Sequence, residues 1–550
     1  MRAVMTSAAP CRSRPFLGGW YFLLPILCLA LVREWWAPDE PRYAQIAKEA
    51  FETKSLVVLH LCGDLYPDKP PLVYWMAGVM GWLSGWSEFW MRVPSILATI
   101  GSAWFLVRVA RRFVGDDVAR WCVPFYLGTA MLLEIGGRLQ LDPTLNVCAW
   151  AALDQLTIDD GDERATTRRT WIAGLCLGLG ALAKGPPAWV PAGFALVTWR
   201  FLPVPFRFAP RRTAAAWIGL VVLAIAPVAT WAAFAIHAEP ALAKPLLFGQ
   251  HVGRITKGDQ HPGPVWDHLD TMPLLLLPWT LLVFAGFAWA ARAWRARTDA
   301  GLVRVAAWFL VVFVFFSLIP PKRDLYLLPI YPAAALLAAF AFARATSEAR
   351  LARWVAWPTT ALVVVVGLAL ATLPFTAGLV LGAVPSLREL LDESGADLRM
   401  WTRSLAPTGC LIAVGGVVAC LALRRRALAT WADALGVGLA LGIAALCLTF
   451  VPAMDEAKSA RGLAELLRER PERPARIACV GVRPEGIRFY GGGPTVRDSL
   501  AETFASEGDQ FLALCLDRDF ERLPAEERAR YREVGRRRLG SRMVLVLVRA

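Results

Sequence analysis

The sequence lacks the marks of a disulfide scaffold or a structural metal site. Its 11 cysteines contain no CxxC spacing, and the spacing of its five histidines matches no common zinc motif. Cys28, Cys122, Cys148, Cys176, Cys410, Cys420 and Cys447 lie within apolar runs, where a thiol serves as a small core residue. There is no internal repeat, no low-complexity tract and no nucleotide-binding pattern. The run Gly491-Gly492-Gly493 has no phosphate-loop context and reads as a turn. A small-residue cleavage site is also missing. Arg2, Arg12 and Arg14 precede the apolar stretch from Phe16 to Val32, but Arg33-Glu34-Trp35-Trp36 follows it, so a retained first span is expected. Acidic residues are outnumbered, 45 against 59 Lys plus Arg, for a net charge of +14. That excess calls for no nucleic acid, because the basic residues gather in short loops between apolar segments, as the positive-inside bias requires.

Apolar length is what the chain has in abundance. Of 550 residues, 56% are hydrophobic and 24 are Trp. Thr213 to Ile236, Trp354 to Leu373 and Leu405 to Leu423 each approach the roughly 20 residues that cross a hydrocarbon core as a helix. The expected fold is a polytopic α-helical membrane protein with about 13 transmembrane helices. After Phe16 to Val32 and Arg92 to Ala110, spans are expected near 117–135, 139–157, 170–183, 186–200, 213–236, 271–291, 304–319, 325–343, 354–376, 405–423 and 428–452. Pro70 to Trp86 is short, Trp-rich and opened by two prolines, and reads as a helix lying in the interface. Taken as a span, it would move Arg108, Arg111 and Arg112 to the side opposite the N-terminus. The basic loops 164–169, 200–212, 291–304, 344–353 and 424–426 then fall inside, and an odd span count puts the tail outside. A transmembrane domain is expected over 1–453, with interfacial helices in its first outer loop (33–91). An extracytoplasmic α/β domain is expected over 454–550, with helices at 457–468 and 525–534 and strands at 476–482, 510–516 and 543–548.

The polar residues at the outer ends carry the functional signal. Asp39 and Glu40 stand side by side just after the first apolar run, followed by Arg42 and Tyr43. Charge at a bilayer edge is costly unless it faces water or performs a task. Asp39 is also a good helix start, a cap whose carboxylate backbone N–H groups would hold, and Glu40 suits a first turn with or without a function. Lys184 in ALAKGPPAW and Lys322 in SLIPPKRDLYLLP are flanked by long apolar sequence, which suits phosphate binding near the membrane surface better than a generic loop. His60, His251, Asp68, Lys69, Asp142 and Arg254 fall at the same ends.

Several segments, in order, resemble one family. DEPRYAQIAKE, LHLCGDLYPDKPPLVYWM, RVPSILATI, GRLQLDPTLN, GLGALAKGPPAW, GQHVGRITKGDQHPGPVWDHL and FFSLIPPKRDLYLLPIYPAAALL are similar to the bacterial lipid A aminoarabinose transferases (ArnT) and their relatives in the protein O-mannosyltransferase superfamily. The likeness covers roughly residues 15–345 in motif and the remainder in layout. It implies a catalytic Asp39 supported by Glu40, Arg42 and Tyr43, with Asp142 as a second acidic position. The family's Tyr-x-acidic-Lys-Pro motif falls on Tyr66, Asp68, Lys69 and Pro70, with Asp68 where Glu is usual, one methylene shorter. Lys184 and Arg254 match positions that hold the lipid-linked phosphate, and Lys322 and Tyr326 lie in a loop near the donor. A divalent metal is the one candidate cofactor, on Asp68 with His60. The resemblance implies sugar transfer from a polyprenyl-phosphate donor to an envelope acceptor, by a monomer at the outer face of the bacterial inner membrane. A transporter or lipid flippase would also need charges in a membrane cavity, but this chain lacks an inverted repeat and keeps its charges at one face.

Overall fold

A computed structural model describes residues 15–158, 161–246, 263–345, 352–383, 398–472, 474–497, 499–507, 510–540 and 542–550. As far as Lys184 the described residues form nine α-helices: α1 (Leu23–Val32), α2 (Asp39–Glu52), α3 (Leu72–Ser84), α4 (Glu88–Val114), α5 (Asp116–Ala119), α6 (Cys122–Leu127), α7 (Ala130–Ile135), α8 (Leu141–Leu156) and α9 (Glu163–Lys184). Among the described residues seven helices are long and apolar enough to cross a membrane, or eight if one bent pair is a single span. The chain is thus a polytopic helical membrane protein.

Burial sorts these helices into centre and periphery. The segment Asp324–Arg344 is 89% buried, whereas Ala214–Ala238 and Trp354–Ala377 are 22% buried. The central segment is alanine-rich: Ala333, Ala334, Ala335, Ala338, Ala339 and Ala341 are all buried, and such small side chains let neighbouring backbones approach. Helices 398–424 and 428–449 meet through glycines, and a Cβ on Gly415 would lie 2.6 Å from the Cα of Gly438.

Two expected continuous spans are broken. The segment 117–135 is three short helices, α5 to α7, because Gly128 ends α6 and the Thr129 side chain caps α7 by accepting from the Leu132 N–H. The segment 271–291 is Asp267–Leu275 followed by Thr280–Ala296, with a bend of 112°. The breaks complement each other, since Ala130 N–H at the start of α7 donates to the Leu277 carbonyl in the bend at 3.0 Å. Backbone groups freed by each interruption are thereby partnered inside the protein, as an apolar medium demands. The segment expected at 170–183 belongs to the longer α9.

Residues 461–549 fold as helices on a five-stranded mixed sheet. Its strands are β3 (Ile477–Val480), β4 (Thr495–Val496), β5 (Leu512–Leu516), β6 (Tyr531–Leu539) and β7 (Arg542–Arg549), in the order β4-β3-β5-β7-β6. β3 runs parallel to β4 and β5, and β7 is antiparallel to β5 and β6. The helix expected over 525–534 is an error: only Ala525–Arg528 is helical, and Tyr531 onward is β6. Pairing with β7, with an irregularity between Glu533 and Gly535, overrides the local helical pattern. Charges along β6 suit its position at the sheet edge.

This unit is joined to the segment after α1. Trp36 bridges to Ser459, Trp35 N–H donates to the Tyr490 hydroxyl at 2.9 Å, and Lys48 donates to the Phe489 carbonyl at 3.0 Å.

Candidate active site

The site is built on the first turn of α2. Asp39, expected to cap that helix, is its first residue instead, and the cap position falls to Pro38, whose side chain makes no cap hydrogen bond. Guanidinium groups hold the Asp39 carboxylate: Arg42 at 2.6 Å on Oδ1 and Arg323 at 2.7 Å on Oδ2. The Gln140 side chain adds a further hydrogen bond. Burial pushes the Asp39 carboxyl up, but Arg323 and Arg42 outweigh it and hold it below the usual carboxylate range. The two arginines thus favour the charged form of Asp39.

Glu40 goes elsewhere. It is 2% exposed and paired with Arg33 and Arg92, the latter at 3.0 Å, and it accepts from Leu139 N–H at 2.9 Å. Arg92 is itself fully buried and donates to the Ala30, Arg33 and Glu34 carbonyls. Adjacent residues on a helix point ~100° apart, so when Asp39 meets the arginines, Glu40 turns into the protein. Glu40, expected among the acids of the site, faces away from the Asp39 cluster and ties α1, α2, α4 and the segment before α8 together.

Three tyrosines line the adjoining wall. Tyr43 lies one residue from Arg42, whose guanidinium stacks 5.1 Å from its ring. Tyr74 on α3 meets Tyr43 at 5.9 Å between ring centroids and places its hydroxyl 3.3 Å from that of Tyr66. Tyr66 is set by a two-stranded hairpin, β1 (His60–Leu61) with β2 (Asp64–Leu65). Glu49 on α2 fixes that hairpin by accepting from the Cys62 and Gly63 N–H groups, both at 2.8 Å. The tight turn uses positive φ at Cys62 and Gly63. Asp68 and Lys69 follow Tyr66 and are half-buried.

A second charged pair lies across the site. Lys184, at the end of α9, pairs with Asp142 in the first turn of α8, and both side chains are nearly buried. Its ammonium also stands 5.1 Å from the Tyr326 ring. Tyr43 is within electrostatic reach of both Asp39 and Asp142, which links the two pairs.

Lys322 is not in this cluster. Its ammonium caps the helix Ala300–Leu318, donating to the Ser317 carbonyl at 2.7 Å and also to the Ile319 carbonyl. The next residue, Arg323, reaches Asp39 instead. Arg323 and Gln140 were missed by sequence reasoning, although both lie inside the motifs that carry the family resemblance. Arg254, His251 and His261 lie outside the described residues. His60 and Asp68 belong to no group of three or more His, Cys, Asp or Glu side chains among the described residues.

A basic and acidic cluster, walled by tyrosines and seated on membrane helices, defines the class: a membrane protein whose site suits an anionic substrate. The match to known proteins is more particular. Residues 68–233 match the dolichyl-phosphate-mannose-protein mannosyltransferase family, and residues 264–397 match the Alg9-like mannosyltransferase family. Curated relatives include the undecaprenyl phosphate-alpha-4-amino-4-deoxy-L-arabinose arabinosyl transferase of Pseudomonas aeruginosa, 31% identical over 58% of this chain and 57% of that protein. Another, from Pseudomonas fluorescens, is 28% identical over 58% of this chain and 55% of that protein. The aligned region thus spans little more than half of each relative. Crystal structures of ArnT from Cupriavidus metallidurans, one bound to undecaprenyl phosphate and one in the apo state, have the same fold. Both have a TM-score of 0.73 and cover 96% of this chain and 97% of that one, with 20% and 21% identity. The chain is thus similar to these arabinosyl transferases over little more than half of its length, and shares the fold of ArnT.

Proposed function

We propose that this chain is an integral membrane glycosyltransferase that moves a sugar from a polyprenyl-phosphate donor, of the undecaprenyl type, to a cell-envelope acceptor. The observation that carries the reading is the Asp39 carboxylate held between Arg42 and Arg323, beside the Lys184–Asp142–Tyr326 group. The relatives named above, all called undecaprenyl-phosphate arabinosyl transferases, support it. In the reaction, the bond between the anomeric carbon and the phosphate oxygen breaks, and its electron pair stays on the phosphate. Arg323, Arg42 and Lys184 stabilise that growing charge. An acceptor oxygen attacks from the opposite side and inverts the anomeric centre. Asp39 stabilises positive charge on the sugar ring. Its lowered proton affinity makes it a weak base, which favours an acceptor that needs no deprotonation, such as a phosphate of a lipid A-like glycolipid.

The proposed setting is the bacterial inner membrane, with a monomer crossing it about 13 times. The N-terminus is inside, α3 lies along the interface, and the site and the α/β unit (454–550) are on the extracytoplasmic side. Arg111 and Arg112 at the end of α4 and Arg424 at the end of helix 398–424 support this orientation. Reporter fusions at Arg424 and Ala550 should report opposite sides. Nothing observed favours the transporter reading. The test of function is transfer of sugar from synthetic undecaprenyl-phosphate donors to envelope glycolipid by the purified protein. Donor consumption with a glycosylated glycolipid is expected; lipid flipping without transfer would overturn the reading.

A further inference from the structure

A cavity of about 580 Å³ lies apart from the Asp39 site. Lys48 lines it from α2, and at ~100° per residue the nine positions between Asp39 and Lys48 place the two on opposite faces of that helix. The cavity is bounded by the end of α1, the turn between α3 and α4, and the α/β unit, so it exists only where these three parts meet.

Its lining joins two chemistries. At the level of the α1 end it carries three cations, Arg33, Lys48 and Arg461, and two acids, Glu34 and Glu88; Arg33 is buried and neutralised by Glu40, which leaves two groups of each sign for a ligand. Arg461 pairs with Glu34 at 3.1 Å and with Glu88, and Tyr490 donates to Glu88 at 2.9 Å. Lys48 stands 5.1 Å from the Phe489 ring and 5.9 Å from the Trp86 ring, which makes an aromatic wall. The lining also includes Leu31, which is 61% exposed. Leu31 continues the exposed stripe Leu24–Leu27 on one face of α1, at the i, i+3, i+7 spacing of a single helix face. Trp82, Leu83 and Trp90, which flank the lining segment 85–89 in sequence, are exposed, as residues at a membrane interface are.

We propose that this cavity binds the headgroup of a zwitterionic phospholipid, phosphatidylethanolamine, with an acyl chain running down the α1 stripe. The phosphate meets Lys48 and Arg461. The primary ammonium donates to Glu34 and lies against the aromatic wall. Equal numbers of cations and acids disfavour a purely anionic lipid, and the bulk of a choline, which has no N–H, cannot donate to the carboxylate. The site would fasten the α/β unit to the bilayer beside the first span. The inference rests on the proposed orientation of α1 in the membrane and not on the transferase reading.

Lipid binding without turnover separates the two. The purified full chain would be mixed with phosphatidylethanolamine, phosphatidylglycerol or phosphatidylcholine of matched acyl chains. Lipid retained would be counted by native mass spectrometry, and thermal stability measured in parallel. Preferential retention of phosphatidylethanolamine is expected. Lys48→Met and Glu34→Gln, each melting like the parent in lipid-free detergent, should weaken that retention by about tenfold, the size of one charge-assisted contact. Phosphatidylglycerol or phosphatidylcholine retained as well as phosphatidylethanolamine would overturn the proposal. So would undiminished phosphatidylethanolamine retention by Lys48→Met.

Discussion

Replacing Glu40 by Gln tests the division of labour between the two adjacent carboxylates. Gln keeps the shape and removes the charge. In the parent, Glu40 neutralises Arg33 and Arg92, which are 2% and 0% exposed, and takes the Leu139 N–H. Removing one member of a buried ion pair typically costs 3–5 kcal/mol, because the partner charge stays buried. Arg92 retains three backbone carbonyls as acceptors, at 2.9, 2.6 and 3.2 Å. The expected loss is therefore about 3 kcal/mol, at the lower end of that range. Asp39→Asn removes a charge whose partners, Arg42 and Arg323, are part-exposed and can turn to water, so its cost in stability is about 1 kcal/mol or less. Its cost in transfer is large, about a hundredfold or more, as for loss of a preorganised group that stabilises transition-state charge. Thermal unfolding in detergent, followed by tryptophan fluorescence, measures the first quantity, and donor turnover by folded protein measures the second. If Glu40→Gln melts with the parent, or Asp39→Asn melts below Glu40→Gln, the assignment of Glu40 to the frame and Asp39 to the site is wrong.

Other variants probe the remaining contacts. Arg323→Met should lower transfer by about ten- to a hundredfold with little change in melting, whereas Lys322→Met should lower the melting temperature and leave folded-state turnover near the parent. Comparable turnover losses in both would contradict the observed contacts. Lys184→Met should weaken donor use by about ten- to a hundredfold, and adding Asp142→Asn should restore stability, by removing the stranded carboxylate, without restoring transfer. Burial pushes the Asp455 carboxyl up to about 6, so the folded state holds an extra proton between about pH 4 and that value. This group's contribution to stability is thus greatest in acid and is lost as pH rises through about 6. Asp455 accepts from Trp36 Nε1 at 2.6 Å and from Glu34 N–H at 3.2 Å. Hydrogen exchange around Trp36 and Ser459, corrected for intrinsic rate, should be slower at pH 5 than at pH 7, and Asp455→Asn should erase that difference.

Hydropathy and charge were sufficient to read the helical membrane class, because apolar length and loop charge are local properties set by the bilayer. The ordered motifs around Asp39, Tyr66, Asp142, Lys184 and Tyr326 likewise pointed to residues that the fold brings together. What failed were features decided by a partner distant in sequence. The break in 117–135 begins locally at Gly128 and Thr129, but the Ala130 N–H it frees is satisfied by the distant Leu277 carbonyl. Whether 531–539 is helix or strand depends on β7. Neither carbonyl nor strand is visible in the segment itself.

The same reason separates the site's ingredients from its geometry. Sequence alone indicated that acids and bases would collect at the ends of the apolar segments, since charge is costly within a bilayer. It did not determine which would pair. Asp39 and Glu40 are chemically alike and adjacent, as are Lys322 and Arg323. Their roles diverge because α2 turns one carboxylate toward Arg323 and the other toward Arg33 and Arg92. The chain after Ile319 folds the ammonium of Lys322 back onto its own helix end and leaves Arg323 to cross 284 positions of sequence to Asp39. Residue type and periodicity are written locally, but the direction in which a charged side chain is satisfied depends on which groups the packed helices bring within hydrogen-bond reach, and that was settled only by the tertiary structure.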